Sequence, residues 1–187
     1  KRLKSMLDYD DLLVFLKNLL TSHEDVRRRL SAKYKYIMVD EYQDTNKLQA
    51  HIACLLASDH SNIMVVGDDA QSIYSFRGAN FKNIIDFPRI FKGTKVITLE
   101  ENYRSTQPIL DLTNAVIRRA KEKFDKDLFT RKKGDKIPVF IDARDENAQS
   151  RFIADKVLEL REEGVELSDM AVLFRSGWHS NDLEIEL

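Results

Sequence analysis

Two apolar runs in this sequence each end on acids. Tyr36-Ile37-Met38-Val39 leads into Asp40-Glu41-Tyr42-Gln43-Asp44, and Asn62-Ile63-Met64-Val65-Val66 leads into Gly67-Asp68-Asp69-Ala70-Gln71-Ser72-Ile73-Tyr74-Ser75-Phe76-Arg77-Gly78. Side chains of successive strand residues point apart, so two adjacent acids at a strand end can take two roles. One can hold Mg²⁺, directly or through water, and the other can orient and deprotonate a water aimed at a terminal phosphate. An isolated Asp-Glu pair is more simply a helix N-terminal pair that favours the macrodipole. Gln43 and Asp44, following at once, shift the balance of Asp40 and Glu41 toward nucleotide chemistry.

The second string is more specific. Asp68, Asp69 and Gln71 make a polar cluster after a buried strand, and a glutamine there can sense a γ-phosphate through its amide. Tyr74 and Phe76 alternate with Ser75 and precede Arg77. Flat aromatic faces beside a cation suit sequence-tolerant binding of single-stranded nucleic acid, where stacking is worth about 1–3 kcal/mol per base. Ordinary core packing is the competing account of Ile73, Tyr74 and Phe76. A third run, Leu99-Glu100-Glu101-Asn102-Tyr103-Arg104-Ser105-Thr106, again passes from strand to helix start. Tyr103 can stack on an adenine and Arg104 can reach a γ-phosphate as an arginine finger; a buried tyrosine and a salt-bridged arginine explain the pair equally well. None of the six glycines is followed by lysine, so the phosphate-cradling G-x-x-x-x-G-K-[ST] loop is absent from these residues.

The elements that must carry these residues follow from periodicity. Strand-like runs recur at 36–39, 62–66, 95–99, 137–141 and 170–174, with helical patterns between them, which predicts a mostly parallel sheet flanked by helices in an α/β fold. Carboxylates then fall at the carboxyl edge of the sheet, where open α/β folds bind ligands. A helix is expected from Asp10 to Leu20, and another after Thr45 or Asn46 with Leu48, Ile52 and Leu55 on one face. A third follows Ser105 or Thr106, with Pro108 in its first turn and Ile109, Leu112 and Val116 inward. Ala148 to Glu163 gives a fourth, closed by Gly164, and a last one starts near Asn181. Boundaries are expected near Phe91-Lys92-Gly93-Thr94, and the Lys- and Arg-rich stretch from Asp125 to Asp135 reads as a solvated loop.

Composition bounds the class. The 187 residues suit one large or two small domains, and 43% hydrophobic content supports a core. No apolar run approaches the roughly 20 residues that span a bilayer, and the charged start Lys1-Arg2-Leu3-Lys4 is no secretory signal. The single Cys54 excludes a disulfide framework, so a reducing, cytoplasmic setting is expected. A net charge of -1 means that any nucleic-acid contact must be local.

The combination resembles the superfamily 1 DNA helicases of the UvrD/Rep/PcrA type. Val39-Asp40-Glu41-Tyr42-Gln43-Asp44-Thr45-Asn46 is similar to the family's Walker B motif II, Val66 to Ala79 to motif III, and Leu99 to Thr106 to motif IV. Asp8-Tyr9-Asp10-Asp11-Leu12-Leu13 resembles the approach to motif II, and Met170 to Ser176 a later family strand. The resemblance implies partial RecA-like lobes of a P-loop NTPase helicase, with residues 1–92 the back half of the first lobe and 93–187 the opening of the second. It implies that Asp40 coordinates Mg²⁺, Glu41 activates water, and Gln71 contacts the γ-phosphate and couples it to DNA. Tyr74, Phe76 and Arg77 would meet single-stranded DNA, with Phe76 where many relatives have tryptophan. Tyr103 would stack on ATP's adenine and Arg104 would be the finger.

The family steps 3′ to 5′ on single-stranded DNA while hydrolysing ATP, and it serves repair and replication. The P-loop and the later motifs V and VI are missing from these residues, so both ends look cut from a longer chain, and this piece alone is expected to lack ATPase and unwinding activity. Two other readings compete. A signalling receiver domain shares an acid pair and a later Asp, but it needs a lysine at a later strand end, where Glu100, Asp142 and Arg175 stand instead. A catalytically silent single-stranded DNA-binding module would keep Tyr74, Phe76 and Arg77 alone. A nuclease-fused branch of the helicases carries the same motifs.

Overall fold

The computed structural model describes residues 6–186. The chain divides into two compact units, with the division after Ile137. The first unit is built on a two-stranded parallel sheet, β1 (Ile37–Val39) and β2 (Ile63–Val65), paired in the register Ile37 to Ile63 and Val39 to Val65. Parallel strands need a crossover, and α3 (Lys47–Leu56) supplies it. Its start is specified locally. Asn46 accepts the Gln49 N–H at 2.9 Å while Gln49 accepts the Asn46 N–H at 2.9 Å, a reciprocal capping box. Asp8 and Asp11 cap α1 (Tyr9–Ser22) in the same way, and α1 packs on α3 and on α2 (Glu24–Lys33). Leu20 is the fully buried residue of α1, whereas Leu12 and Leu19 stay exposed.

Tyr42, Ala50, Ile84 and Phe87 form the buried core of this unit, with Val39, Ile63, Val65, Phe91 and Phe124 packed around them. Ile84 and Phe87 come from α4 (Lys82–Ile90). Tyr42 meets the Phe87 ring edge-on at 5.6 Å and 81°, a favoured aromatic geometry. The core covers one face of the sheet only; Met38 and Met64, which point the other way, are 70% and 53% exposed.

Among the described residues the expected strands at 95–99, 137–141 and 170–174 do not form. Their apolar side chains find no ladder partner: Ile97, Leu99, Val139, Phe140 and Leu173 are exposed. A β-rich run becomes a strand only where a neighbour completes its hydrogen bonds. The nearest approach is a single parallel bridge between Glu101 and Phe129.

The inward face of α5 (Gln107–Ile117) also differs from expectation. Leu110 and Asn114 are buried, while Ile109, Leu112 and Val116 are exposed. The helix turns this face inward because the Asn114 amide clamps the chain at Leu128, donating to its carbonyl at 2.8 Å and accepting its N–H at 3.1 Å. The 125–135 stretch is accordingly fastened rather than solvated along its length: Phe124 enters the core, Lys126 is mostly buried, and Arg131 pairs with Glu101 at 3.2 Å.

The second unit holds α6 (Glu146–Glu162) and α7 (Ser180–Glu186), which pack on each other. Asp145 caps α6, and Gly164 takes the left-handed φ of 91° just past its end. Leu183 is buried, and Ile153, Val157 and Leu160 lie half-buried on the face that carries Ser150 and Ala154. Leu187 lies outside the described residues.

Candidate active site

Both acid-bearing segments leave the same edge of the sheet. β1 ends at Val39, and Glu41 then adopts a left-handed φ of 47° and ψ of 42°. That conformation is costly for a residue with a Cβ, and it turns the chain sharply into the short 3₁₀ turn Tyr42–Asp44. Tyr42 donates its N–H to the Val66 carbonyl at 2.9 Å, and Val66 donates to Val39 at 2.8 Å, so the two strand ends are tied together beyond the ladder. Asp40 accepts the Glu41 N–H at 2.9 Å through Oδ1 and is otherwise a solvent-facing carboxylate.

Gln43 organises the site. It is 1% exposed, and its amide is used at both ends: Nε2 donates to Glu41 Oε2 at 2.7 Å, and Oε1 accepts the Asp68 N–H at 3.0 Å. Its carbonyl also accepts from the Ser72 hydroxyl at 3.2 Å. The side chain lies across Gly67, where a Cβ would overlap Oε1; this close approach is why the position suits glycine. Asp68 in turn caps the next 3₁₀ turn, accepting the Ala70 N–H at 3.0 Å through Oδ1 and the Gln71 side-chain amide at 2.9 Å through Oδ2. A cleft of about 450 Å³ opens among Glu41, Gln43, Asp44, Ala70, Gln71, Ile73 and Tyr74.

Lys126 reaches this loop from the far end of the unit, contacting Asp68 and donating to Asp69 at 2.7 Å. Asp69 also accepts the Phe124 N–H at 3.1 Å. Burial acts to raise the Asp68 pKa, but the hydrogen bonds from Lys126, Gln71 and Ala70 outweigh it and hold the carboxyl below its usual range. Burial likewise acts against the Lys126 ammonium, and its two carboxylate partners raise its pKa on balance.

Of the residues singled out by sequence, Glu41, Gln71 and Tyr74 line one cleft, and Asp40 sits beside it along the chain. Tyr74 and Phe76 lie 6.0 Å apart between ring centroids, tilted by 49°, with Phe76 74% exposed. This is an open aromatic pair rather than core. The backbone of Arg77 ends a further 3₁₀ turn, Ser75–Arg77, and its side chain lies outside the described residues. Tyr103 and Arg104 do not line the cleft; Tyr103 is 81% exposed, and both follow Asn102, whose side chain accepts the Arg104 and Ser105 N–H groups at 2.9 and 2.7 Å. Sequence reasoning named Gln43 only as a neighbour of the acids and missed Lys126. A lone lysine in a basic stretch carries no local sign that it will fold back onto Asp68 and Asp69. Cys54 is half-buried on α3 and burial pushes its thiol pKa up, which suits a packing residue.

No group of three or more His, Cys, Asp or Glu side chains converges among the described residues. Asp40 nonetheless suits a hydrated Mg²⁺ ion, which takes one or two carboxylates and keeps most of its waters.

The family model described as the UvrD/REP helicase N-terminal domain matches residues 1–92, and the one described as the UvrD-like helicase C-terminal domain matches residues 97–187. The chain belongs to the UvrD/REP helicase family. Its relatives include the ATP-dependent DNA helicase PcrA of Leuconostoc citreum, 43% identical over 100% of this chain and 25% of that protein. A probable DNA helicase II homolog of Rickettsia felis is 40% identical over 97% of this chain and 28% of its own length. PcrA of Staphylococcus aureus (strain Mu50) is 40% identical over 95% of this chain and 24% of its own length. The chain thus spans about a quarter of the length of the curated relatives it matches. The α/β arrangement, a small parallel sheet with helices, agrees with that membership. Among the described residues no helix is long and apolar enough to cross a membrane.

Proposed function

We propose that this chain is part of an ATP-dependent DNA helicase that couples hydrolysis of Mg-ATP to 3′-to-5′ movement along single-stranded DNA, in repair or replication in the cytoplasm. Residues 1–92 belong to the first RecA-like lobe and 93–187 to the second. The observation that carries this reading is the convergence of Glu41 and Gln71 on one cleft at the ends of paired parallel strands, with Gln43 bonded to both segments. In this assignment Glu41 orients and deprotonates the attacking water, Asp40 holds Mg²⁺, and Gln71 meets the γ-phosphate. Tyr74, Phe76 and Arg77 bind single-stranded DNA next to that cleft. Tyr103 stacks on the adenine and Arg104 neutralises charge on the transferring phosphate; both side chains are exposed.

The exposed apolar faces of the sheet and of the 95–99, 137–141 and 170–174 runs support a role for further chain, which would complete both lobes and bring the lysine and amides of a phosphate loop. Because these residues contain no such loop, the 187-residue chain by itself is expected to hydrolyse no ATP. Robust Mg²⁺-dependent turnover by the purified chain would overturn that expectation of inactivity.

In the full-length protein, Glu41→Gln removes general-base catalysis, which contributes about 10²–10⁴-fold, and leaves single-strand affinity in place. Phe76→Ala removes a stacking partner worth about 1–3 kcal/mol, lowering single-strand affinity about 5- to 150-fold. A silent single-strand-binding module is the alternative, favoured by the exposed Tyr74–Phe76 pair. It predicts the Phe76→Ala loss with no ATPase in the unaltered protein.

A further inference from the structure

Lys126 ties the 124–130 segment to the loop bearing Gln71 through ion pairs with Asp68 and Asp69. Its side chain is 13% exposed, and that of Asp69 is 4% exposed. Two adjacent carboxylates turned to one point repel each other, and a single ammonium between them is what allows Asp68 and Asp69 to converge. The segment that delivers the ammonium is itself anchored, since Phe124 packs on the Tyr42 and Phe87 core and donates its N–H to Asp69. Asp68 spends its other contacts on the site: Oδ2 takes the Gln71 amide, and its backbone N–H meets Gln43, which holds Glu41. The contacts therefore run without a gap from Lys126 through Asp68 to Gln71.

We propose that Lys126 is a positioning residue for ATP hydrolysis, orienting the Gln71 amide through Asp68 and so linking the 124–130 segment to the hydrolytic cleft. The inference rests on the helicase assignment made above. Without the ammonium, Asp68 and Asp69 repel, Asp68 swings outward, and the Gln71 amide loses the acceptor that fixes its rotamer. The Gln71 amide is one contact among many that would hold ATP but is aimed at the γ-phosphate under attack, so its rotamer weighs more on the hydrolytic step than on ATP affinity.

The test is steady-state ATPase of the full-length protein with saturating single-stranded DNA. Lys126→Met is expected to lower kcat at least tenfold with KM for ATP within threefold. Lys126→Arg, which keeps a cation able to bridge two carboxylates, should retain a third or more of kcat. Because Lys126 acts through Gln71, adding Lys126→Met to Gln71→Ala should produce no further fall beyond twofold. Should Lys126→Met melt below the assay temperature, the Asp69→Asn/Lys126→Met pair takes its place: it removes the carboxylate that repels Asp68, so kcat should stay within threefold of the unaltered protein, and a tenfold fall in this pair would overturn the proposal. A kcat within twofold of the unaltered protein for the methionine variant, or a full additional loss in the Gln71→Ala background, overturns the proposal while leaving the helicase assignment intact. An unaltered full-length protein without ATPase overturns both.

Discussion

Gly67→Ala tests whether Gln43 is the hinge of the site. A Cβ at position 67 would overlap Gln43 Oε1 and come within 2.9 Å of Ile84 Cδ1 and 3.2 Å of the Tyr42 nitrogen. Ile84 Cδ1 can shift, but the Tyr42 backbone is pinned to Val66 and Gln43 is bonded at both ends of its amide. The alanine therefore displaces Gln43, breaking its bond to the Asp68 N–H and its charge-assisted bond to Glu41. With two buried groups left unsatisfied at about 1–3 kcal/mol each, less the 0.4–1 kcal/mol or so gained by stiffening the unfolded chain, the net loss is about 1–5.5 kcal/mol. Hydrogen exchange read by mass spectrometry on the full-length protein reports this locally. At about 1.4 kcal/mol per factor of ten, amides in the 40–45 and 66–72 segments should exchange roughly 5- to 10,000-fold faster, with ATPase falling alongside. In a Gln43→Ala background the overlap with Oε1 is gone and only the contacts with Ile84 and the Tyr42 nitrogen remain, so Gly67→Ala should add much less. Protection within threefold of the unaltered protein, or equal effects in both backgrounds, would refute the account of Gln43.

Two further outcomes follow from the core. The Tyr42 hydroxyl is buried with no hydrogen-bond partner among the described residues, and burial, with a smaller push from Cys54, raises its pKa from 10.0 to about 12. A raised pKa means that the folded state holds the proton more tightly. Its contribution is complete below pH 10.0, declines as pH rises toward about 12, and is gone above that. Alkaline unfolding followed by circular dichroism should show this slope, about 1.4 kcal/mol per pH unit, and Tyr42→Phe should flatten it. At neutral pH the phenylalanine variant should be at least as stable, since an unpaired buried hydroxyl costs about 1–3 kcal/mol; a clear loss of stability would show that the hydroxyl has a partner. Asn114→Ala should cost about 2–4 kcal/mol by stripping both backbone partners from Leu128, seen as a lowered melting temperature, whereas the exposed Leu112→Ala nearby should change it little.

The acid-bearing strand ends were legible in sequence because they are local patterns. A four-residue apolar run followed by charge announces its own end, so β1 and β2 and the placement of Asp40, Glu41 and Gln71 just beyond them could be read directly. Helix starts were legible for the same reason, since the capping box of Asn46 and Gln49 lies within one turn. The runs at 95–99, 137–141 and 170–174 have equally good strand composition but depend on neighbours elsewhere in the chain to complete a ladder. The inward face of α5 was misjudged because apolar spacing favoured Ile109, Leu112 and Val116, while a polar residue, Asn114, holds the buried position through its clamp on Leu128.

Sequence alone determined the chemistry on offer: the acids, the glutamine, the aromatic pair beside Arg77, and the order that places the chain among the UvrD/REP helicases. Only tertiary structure decided how those groups are held. Gln43 joins Glu41 to Asp68 across 25 residues of chain, and Lys126 joins Asp68 and Asp69 across 58 and 57. Contacts at such separation leave no periodic trace, because they are fixed by which buried donor meets which acceptor after the chain has folded.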